Sequence, residues 1–319
     1  MSQSFLKRLP LSRFEVDRDY LSRDRPALFD ELRANPAARV LPVFDGKALL
    51  KSESELALLP FADYPDADIL VYLGRTTTAT ATEPVGTPVV AAHLNDAGAL
   101  AAGQRAKGEW AKGEWANLRT VGSRLSDRDA GLLTEALGIL NWHLTHTHSP
   151  RTGERTLIEK GGWVRRDPVS DTELFPRTDA AIIVGVTDAD DRILLGSNAL
   201  WESNRFSLLA GFVEPGESLE AAVVREVFEE SGIRVTDPVY LGSQPWPFPA
   251  SLMLGFAAKV DQELTSTLMP DGAEILDLRW FSRDELRASL GDILLPGPTS
   301  IAHAILAEWF GEPIPQGMW

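Results

Sequence analysis

The chain has 319 residues, 44% of them hydrophobic and 24% charged, which suggests about two globular domains. Its net charge of −15 argues against tight, non-specific binding along DNA or another nucleic-acid backbone, which needs a basic surface; a local basic pocket for one diphosphate or one RNA end stays open. It has no cysteine, so disulfides and thiolate metal sites are excluded.

The first residues, MSQSFLKRLPLSRFEVDRDY, lack the apolar run of a signal peptide, and no apolar stretch is long enough to span a membrane. The expectation is a cytoplasmic protein. Residues 1–125 read as an N-terminal mixed α/β domain, with β-type runs at Arg39–Phe44, Ile69–Gly74 and Val89–Leu94. Thr76–Pro84, low in complexity, reads as a hairpin tip or loop. The motif KGEW occurs twice, at Lys107–Trp110 and Lys112–Trp115, too short a unit for a solenoid.

A helical pattern begins at Asp127 and runs to about His143. A polar, glycine-containing segment follows from Ser149 to Asp171, so residues 126–177 form a connecting region. Residues 178–319 then hold strands at Ala180–Val186 and Arg192–Leu195, joined by a turn at Asp188–Asp191. Further strands are expected at Ser251–Val260 and Leu276–Phe281, with a last helix near Thr299–Phe310.

Between the strand pairs lies GFVEPGESLEAAVVREVFEESGI, from Gly211 to Ile233. Ser218 can cap a helix here, Glu220 lies in its positive first turn, and Gly232 can supply a left-handed stop. Leu219, Ala222, Val223 and Val227 form a narrow apolar stripe that would dock the helix on a sheet. Glu226, Glu229 and Glu230 project to one side, because positions three and four apart share a helix face. Such carboxylates repel unless a cation neutralises them, and hard oxygen ligands suit Mg²⁺ or Mn²⁺.

The spacing of Gly211, Glu217, Arg225, Glu226, Val227, Glu229, Glu230, Gly232 and Ile233 resembles the Nudix box at every fixed position. Beyond it, Ser243-Gln244-Pro245-Trp246-Pro247-Phe248-Pro249-Ala250-Ser251 resembles the signature of the NADH pyrophosphatase family. Arg119, Trp163, Phe175–Asp179, Leu208–Phe212, Met253, Glu274 and Ala302 follow the same family pattern. The resemblance implies an α/β fold: a Nudix α/β/α sandwich with a mixed sheet, preceded by the smaller N-terminal domain and a zinc-ribbon-like segment. Many members carry four cysteines in that segment; here those places fall on Ser149, Thr152, Asp167 and Ser170, which are poor zinc ligands. The segment is therefore expected to hold without zinc, by hydrogen bonds and packing around Trp163. His143, His146 and His148 are read as surface or capping residues rather than a metal site.

The implied chemistry is hydrolysis of NADH or NAD⁺ at the diphosphate, giving nicotinamide mononucleotide and AMP; the same reaction on NAD-capped RNA would remove the cap. Two or three Mg²⁺ or Mn²⁺ ions would be held by Glu226, Glu229, Glu230, Glu274 and the Ala210 carbonyl. Either Glu230 or Glu274 would act as base, while Arg225 and Glu217 would brace one another. Phe175 and Phe212 would sandwich a base by stacking. The loop from Gln244 through Pro245, Trp246, Pro247, Phe248, Pro249 and Ala250 to Ser251, with Arg119, Met253 and Ala302, would complete the substrate site. A homodimer is expected on family grounds. The alternatives are a Nudix hydrolase for another nucleoside diphosphate derivative, such as ADP-ribose, and a nucleotide-sensing module with a dead site; the latter would be expected to lose box glutamates, and none is missing.

Overall fold

The computed structural model describes residues 3–64, 67–109, 114–202, 204–263 and 267–314. Two compact units emerge: one of Met1–Ser12, Asp179–Pro245 and Ser251–Trp319, the other of Arg13–Thr178 and Trp246–Ala250. The first carries a short helix, α1 (Gln3–Leu6), at its start.

In the second unit the strands are β1 (Val16–Asp17), β2 (Arg39–Phe44), β3 (Lys47–Leu50), β4 (Leu59–Pro60), β5 (Ile69–Thr76), β6 (Pro88–His93) and β7 (Glu114–Asn117). They form one sheet in the order β1-β5-β6-β2-β3-β7, with β4 beside β2. The β2·β6 pair is parallel and the others are antiparallel. Helices α2 (Leu28–Ala34), α3 (Asp96–Glu109) and α4 (Leu118–Val121) precede the long α5 (Asp127–Thr145). Leu28, Val40, Leu49, Phe61, Tyr72 and Val90 lie at the centre of its core. The sequence gives little sign of α3, whose alanine- and glycine-rich run has no apolar stripe to direct it. Much of the KGEW duplication lies outside the described residues.

A small sheet, β8 (Leu157–Glu159), β9 (Val164–Arg166) and β10 (Glu173–Leu174), completes this unit. Asp167, with no exposed surface, gathers the other three positions where cysteines were missed. Its Oδ2 accepts from the Thr152 hydroxyl at 2.7 Å and the Ser170 hydroxyl at 2.8 Å. Its Oδ1 accepts from the Val169 and Ser170 amides, and Ser149 adds a further bond. Burial alone would raise this carboxyl, but the hydrogen bonds win and hold it well below the usual range. Trp163 donates its indole N–H to the Tyr72 carbonyl, and the Arg23 guanidinium lies 3.6 Å from its ring centroid. His143 is buried: Nδ1 accepts from Arg165, so Nε2–H donates to the Gly162 carbonyl. Burial first, then Arg165, push it down to about 4, so it is a neutral structural clamp.

In the first unit, β11 (Asp179–Thr187), β12 (Ile193–Asn198), β13 (Leu209–Phe212), β14 (Val235–Trp246), β15 (Ser251–Val260) and β16 (Ile275–Phe281) form a mixed sheet. The order is β14-β15-β11-β12-β16, with β13 also paired to β11. The central β11·β15 pair is parallel. Alternation along β11 sends Ile183 to one face and Ile182 and Val184 to the other. The first face packs under α7 (Arg283–Ser289), α8 (Ile301–Phe310) and Phe5 and Leu9 from the chain start. The second packs under α6 (Leu219–Ser231) through Ala222, Val223 and Val227. This is an α/β/α sandwich.

The loop expected from Ser243 onward is in part strand: β14 runs through Ser243–Trp246 before the turn at Pro247–Ala250. Pro238 and Pro245 disguise the strand, and β14 can carry them because it lies at the sheet edge. Among the described residues no helix is long and apolar enough to cross a membrane.

Candidate active site

Helix α6 is set by its caps. The Ser218 side chain accepts from the Ala221 amide, and Gly232 closes the other end at φ 70°. The helix buries its apolar stripe and leaves the box glutamates along one edge.

Arg225 organises that edge. Its guanidinium reaches Glu217 at 2.6 Å, Glu226 at 2.9 Å and Glu229 at 3.0 Å, and donates to the Phe212 carbonyl at 2.9 Å. Glu217 also accepts from the Glu214 amide at 2.7 Å, pinning the loop before the helix. Its hydrogen bonds to Arg225 and the Glu214 amide keep Glu217 ionised below its ordinary range.

Glu230 is buried, and its Oε2 has no hydrogen-bond partner among the described residues. Burial, then the charges of Glu274, Glu226 and Asp271, push it up to about 8, against a bond from the Ala210 amide. Glu226 is raised by burial and by Glu229 and Glu274, with Arg225 opposing. A cation beside such a group would offset its burial and the neighbouring negative charges. Gly211 lies so close to Glu226 that a Cβ there would strike its carboxylate. Among the described residues no three His, Cys, Asp or Glu side chains are gathered closely enough to hold a metal as they stand. The reason is local: Arg225 draws Glu226 and Glu229 to itself, and Glu229 is 58% exposed. The donor set of Glu226, Glu229, Glu230, Glu274 and the backbone at Ala210 nonetheless fits a hard divalent cation.

Glu274 stands at the entry to β16. Its Oε1 accepts from Asn198 at 3.3 Å, and its carbonyl accepts from the Ala199 amide at 2.7 Å. Asp271 caps the loop before it. The box spacing points to neither Asn198 nor Asp271; the Asp271-Gly272 turn dipeptide is the one sign in the sequence.

The remaining predicted residues divide between the units. In the first, Phe212 is 60% exposed, Pro245 is exposed, and Ser251 and Met253 are half-buried. Gln244 and Ala302 are buried. Gln244 has no exposed surface; its Oε1 accepts from the Leu11 amide and its Nε2 donates to the Thr299 carbonyl. Ala302, on α8, is buried in the core.

In the second unit, Trp246 and Phe248 meet edge to face with centroids 4.9 Å apart. The Arg119 guanidinium lies 4.2 Å from the Phe248 centroid and 5.2 Å from that of Trp246. Asn141, which no motif singles out, donates to the carbonyls of Pro247 and Pro249 and fixes the turn that includes Ala250. Phe175 is 64% exposed.

Two family models match the chain. The NUDIX domain family matches residues 176–309, and the NADH pyrophosphatase-like rudimentary NUDIX domain matches residues 37–142. The chain is 39% identical over 295 residues to the NAD-capped RNA hydrolase NudC of Mycobacterium bovis (strain BCG / Pasteur 1173P2), covering 87% of this chain and 85% of that protein. NudC of Mycobacterium tuberculosis (strain H37Rv) matches with the same identity and coverage. Human NAD-capped RNA hydrolase NUDT12 is 35% identical over 201 residues, covering 58% of this chain and 43% of that protein.

Proposed function

Because the chain belongs to the Nudix hydrolases, in the family of the NAD-capped RNA hydrolases, we propose that it cleaves the diphosphate of NADH and NAD⁺ to nicotinamide mononucleotide and AMP, and removes NAD caps from RNA 5′ ends. The observation that carries the reading is Glu230, a buried carboxylate with an unpartnered oxygen, pressed by the charges of Glu274 and Glu226. That arrangement is costly without a cation and useful with one.

Mg²⁺ or Mn²⁺, two or three per site, would be held by Glu226, Glu229, Glu230, Glu274 and the Ala210 carbonyl. Bound there, the ions would screen the diphosphate's charge and acidify a water. The chain's own groups do the rest. Arg225 and Glu217 fix the start of α6 and keep the box glutamates on one edge. Glu230 or Glu274 takes the proton of the attacking water. Phe212 in the first unit and Phe175 in the second each present an exposed ring that could stack on a base, at about 1–3 kcal/mol per base. Trp246, Phe248 and the Arg119 plane above them form a further stacking platform. Pro245, Pro247, Pro249, Ala250 and Ser251 belong to the signature segment, and Met253, on β15, would add to the substrate site. A homodimer is expected from the family.

The test is turnover of NADH, ADP-ribose and NAD-capped RNA at equal concentration, with Mg²⁺ and then Mn²⁺. NADH and the capped RNA should be cleaved, and chelation should stop both. A strong preference for ADP-ribose would refute the choice of substrate.

A further inference from the structure

Glu274 is exposed, so packing does little to hold it in place; hydrogen bonds hold it instead. Asp271 Oδ1 accepts from the amides of Ala273 at 3.0 Å, Glu274 at 3.0 Å and Ile275 at 2.8 Å. Gly272, at φ +72°, donates back to the Ile275 carbonyl and closes the turn. On the other side, the β12·β16 pairing carries an irregularity at Ser197/Asn198. At that irregularity Asn198 Nδ2 donates to Glu274 Oε1 at 3.3 Å, and the Ala199 amide donates to the Glu274 carbonyl at 2.7 Å.

We propose that Asp271 and Asn198 are positioning residues for the hydrolysis: Asp271 fixes the backbone that presents Glu274, and Asn198 fixes the orientation of its carboxylate. The inference rests on the function proposed above. Asp271 acts as a hydrogen-bond acceptor, so a neutral side chain of the same shape should replace it. Supporting groups of this kind typically contribute about 10–100-fold to metal affinity or activity.

The experiment compares Asp271→Ala, Asp271→Asn and Asn198→Ala in the full chain. Asp271→Ala is expected to lower kcat on NADH and Mn²⁺ affinity by about 10–100-fold, with KM little changed. It should also speed amide exchange at residues 273–275 in the metal-free protein. Asp271→Asn should stay within about threefold of the parent. Asn198→Ala should lower kcat without changing exchange at 273–275, and it decides the matter if Asp271→Ala does not fold. The proposal is overturned if Asp271→Ala keeps parental kcat and exchange, if Asp271→Asn is as impaired as Asp271→Ala, or if Asn198→Ala keeps parental kcat. A parent chain that cleaves no diphosphate tested would refute the proposed function; exchange and Mn²⁺ affinity would still judge Asp271.

Discussion

Replacing Glu135 by Gln should stabilise this protein at pH 8 and leave it nearly unchanged at pH 5. Glu135 lies on α5, buried, with Oε1 accepting no hydrogen bond from the described residues. Arg18 stands 3.8 Å from Oε2, and Arg23, stacked on Trp163, adds a second favourable charge. Burial outweighs both and lifts the carboxyl from 4.5 to about 7. Its folded pKa is raised, so its contribution is fully present below pH 4.5 and is lost as pH rises through about 7. At about 1.4 kcal/mol per pH unit, the ionised group costs about 3 kcal/mol at pH 8. Glu135→Gln mimics the protonated form and removes that cost. Hydrogen exchange of the α5 amides, corrected for intrinsic rates, measures the opening free energy of this helix directly. The parent should lose about 2–3 kcal/mol of protection between pH 5 and pH 8 relative to the variant. Equal pH dependence in the two chains, or a variant less protected at pH 8, would refute the reasoning.

Other outcomes follow from the same geometry. Glu230→Gln should lower turnover by about 10²–10⁴-fold while circular dichroism and nucleotide binding stay close to the parent; unchanged hydrolysis would remove the proposed site. Gly211→Ala puts a methyl group against the Glu226 carboxylate and should cost about 10²-fold in kcat, read in steady-state assays. Arg119→Ala removes the guanidinium over Phe248 and should raise KM for NADH about tenfold with little change in kcat. Asp167→Ala should expose the segment around β8–β10 to protease, whereas chelator treatment of the parent should not.

Helix α6 could be read from sequence because its signals are local: Ser218, Gly232 and the box glutamates announce it without any partner strand. Strands β2 and β15 were legible for the same reason, with matching bounds at Arg39–Phe44 and Ser251–Val260. Strand β14 was hidden because proline speaks against a strand, and only the sheet order reveals the edge position that permits it. Gln244 shows the converse limit. A polar side chain in a signature loop looks available, yet the amide of Leu11, 233 positions away, consumes it. The loop that aims Glu274 was equally out of reach, because its partner Asn198 lies on another strand. Residues whose roles depend on neighbours distant in sequence cannot be placed from spacing alone.

The Asp167 knot changes what this enzyme must fear in a cell. Four thiolates around a metal can be oxidised by peroxide, stripped of their ion, or filled with the wrong one. A carboxylate held by hydroxyls and amides offers no thiol to oxidise, and the segment is expected to need no loading step after synthesis. Oxidative stress and zinc starvation should therefore leave this segment folded.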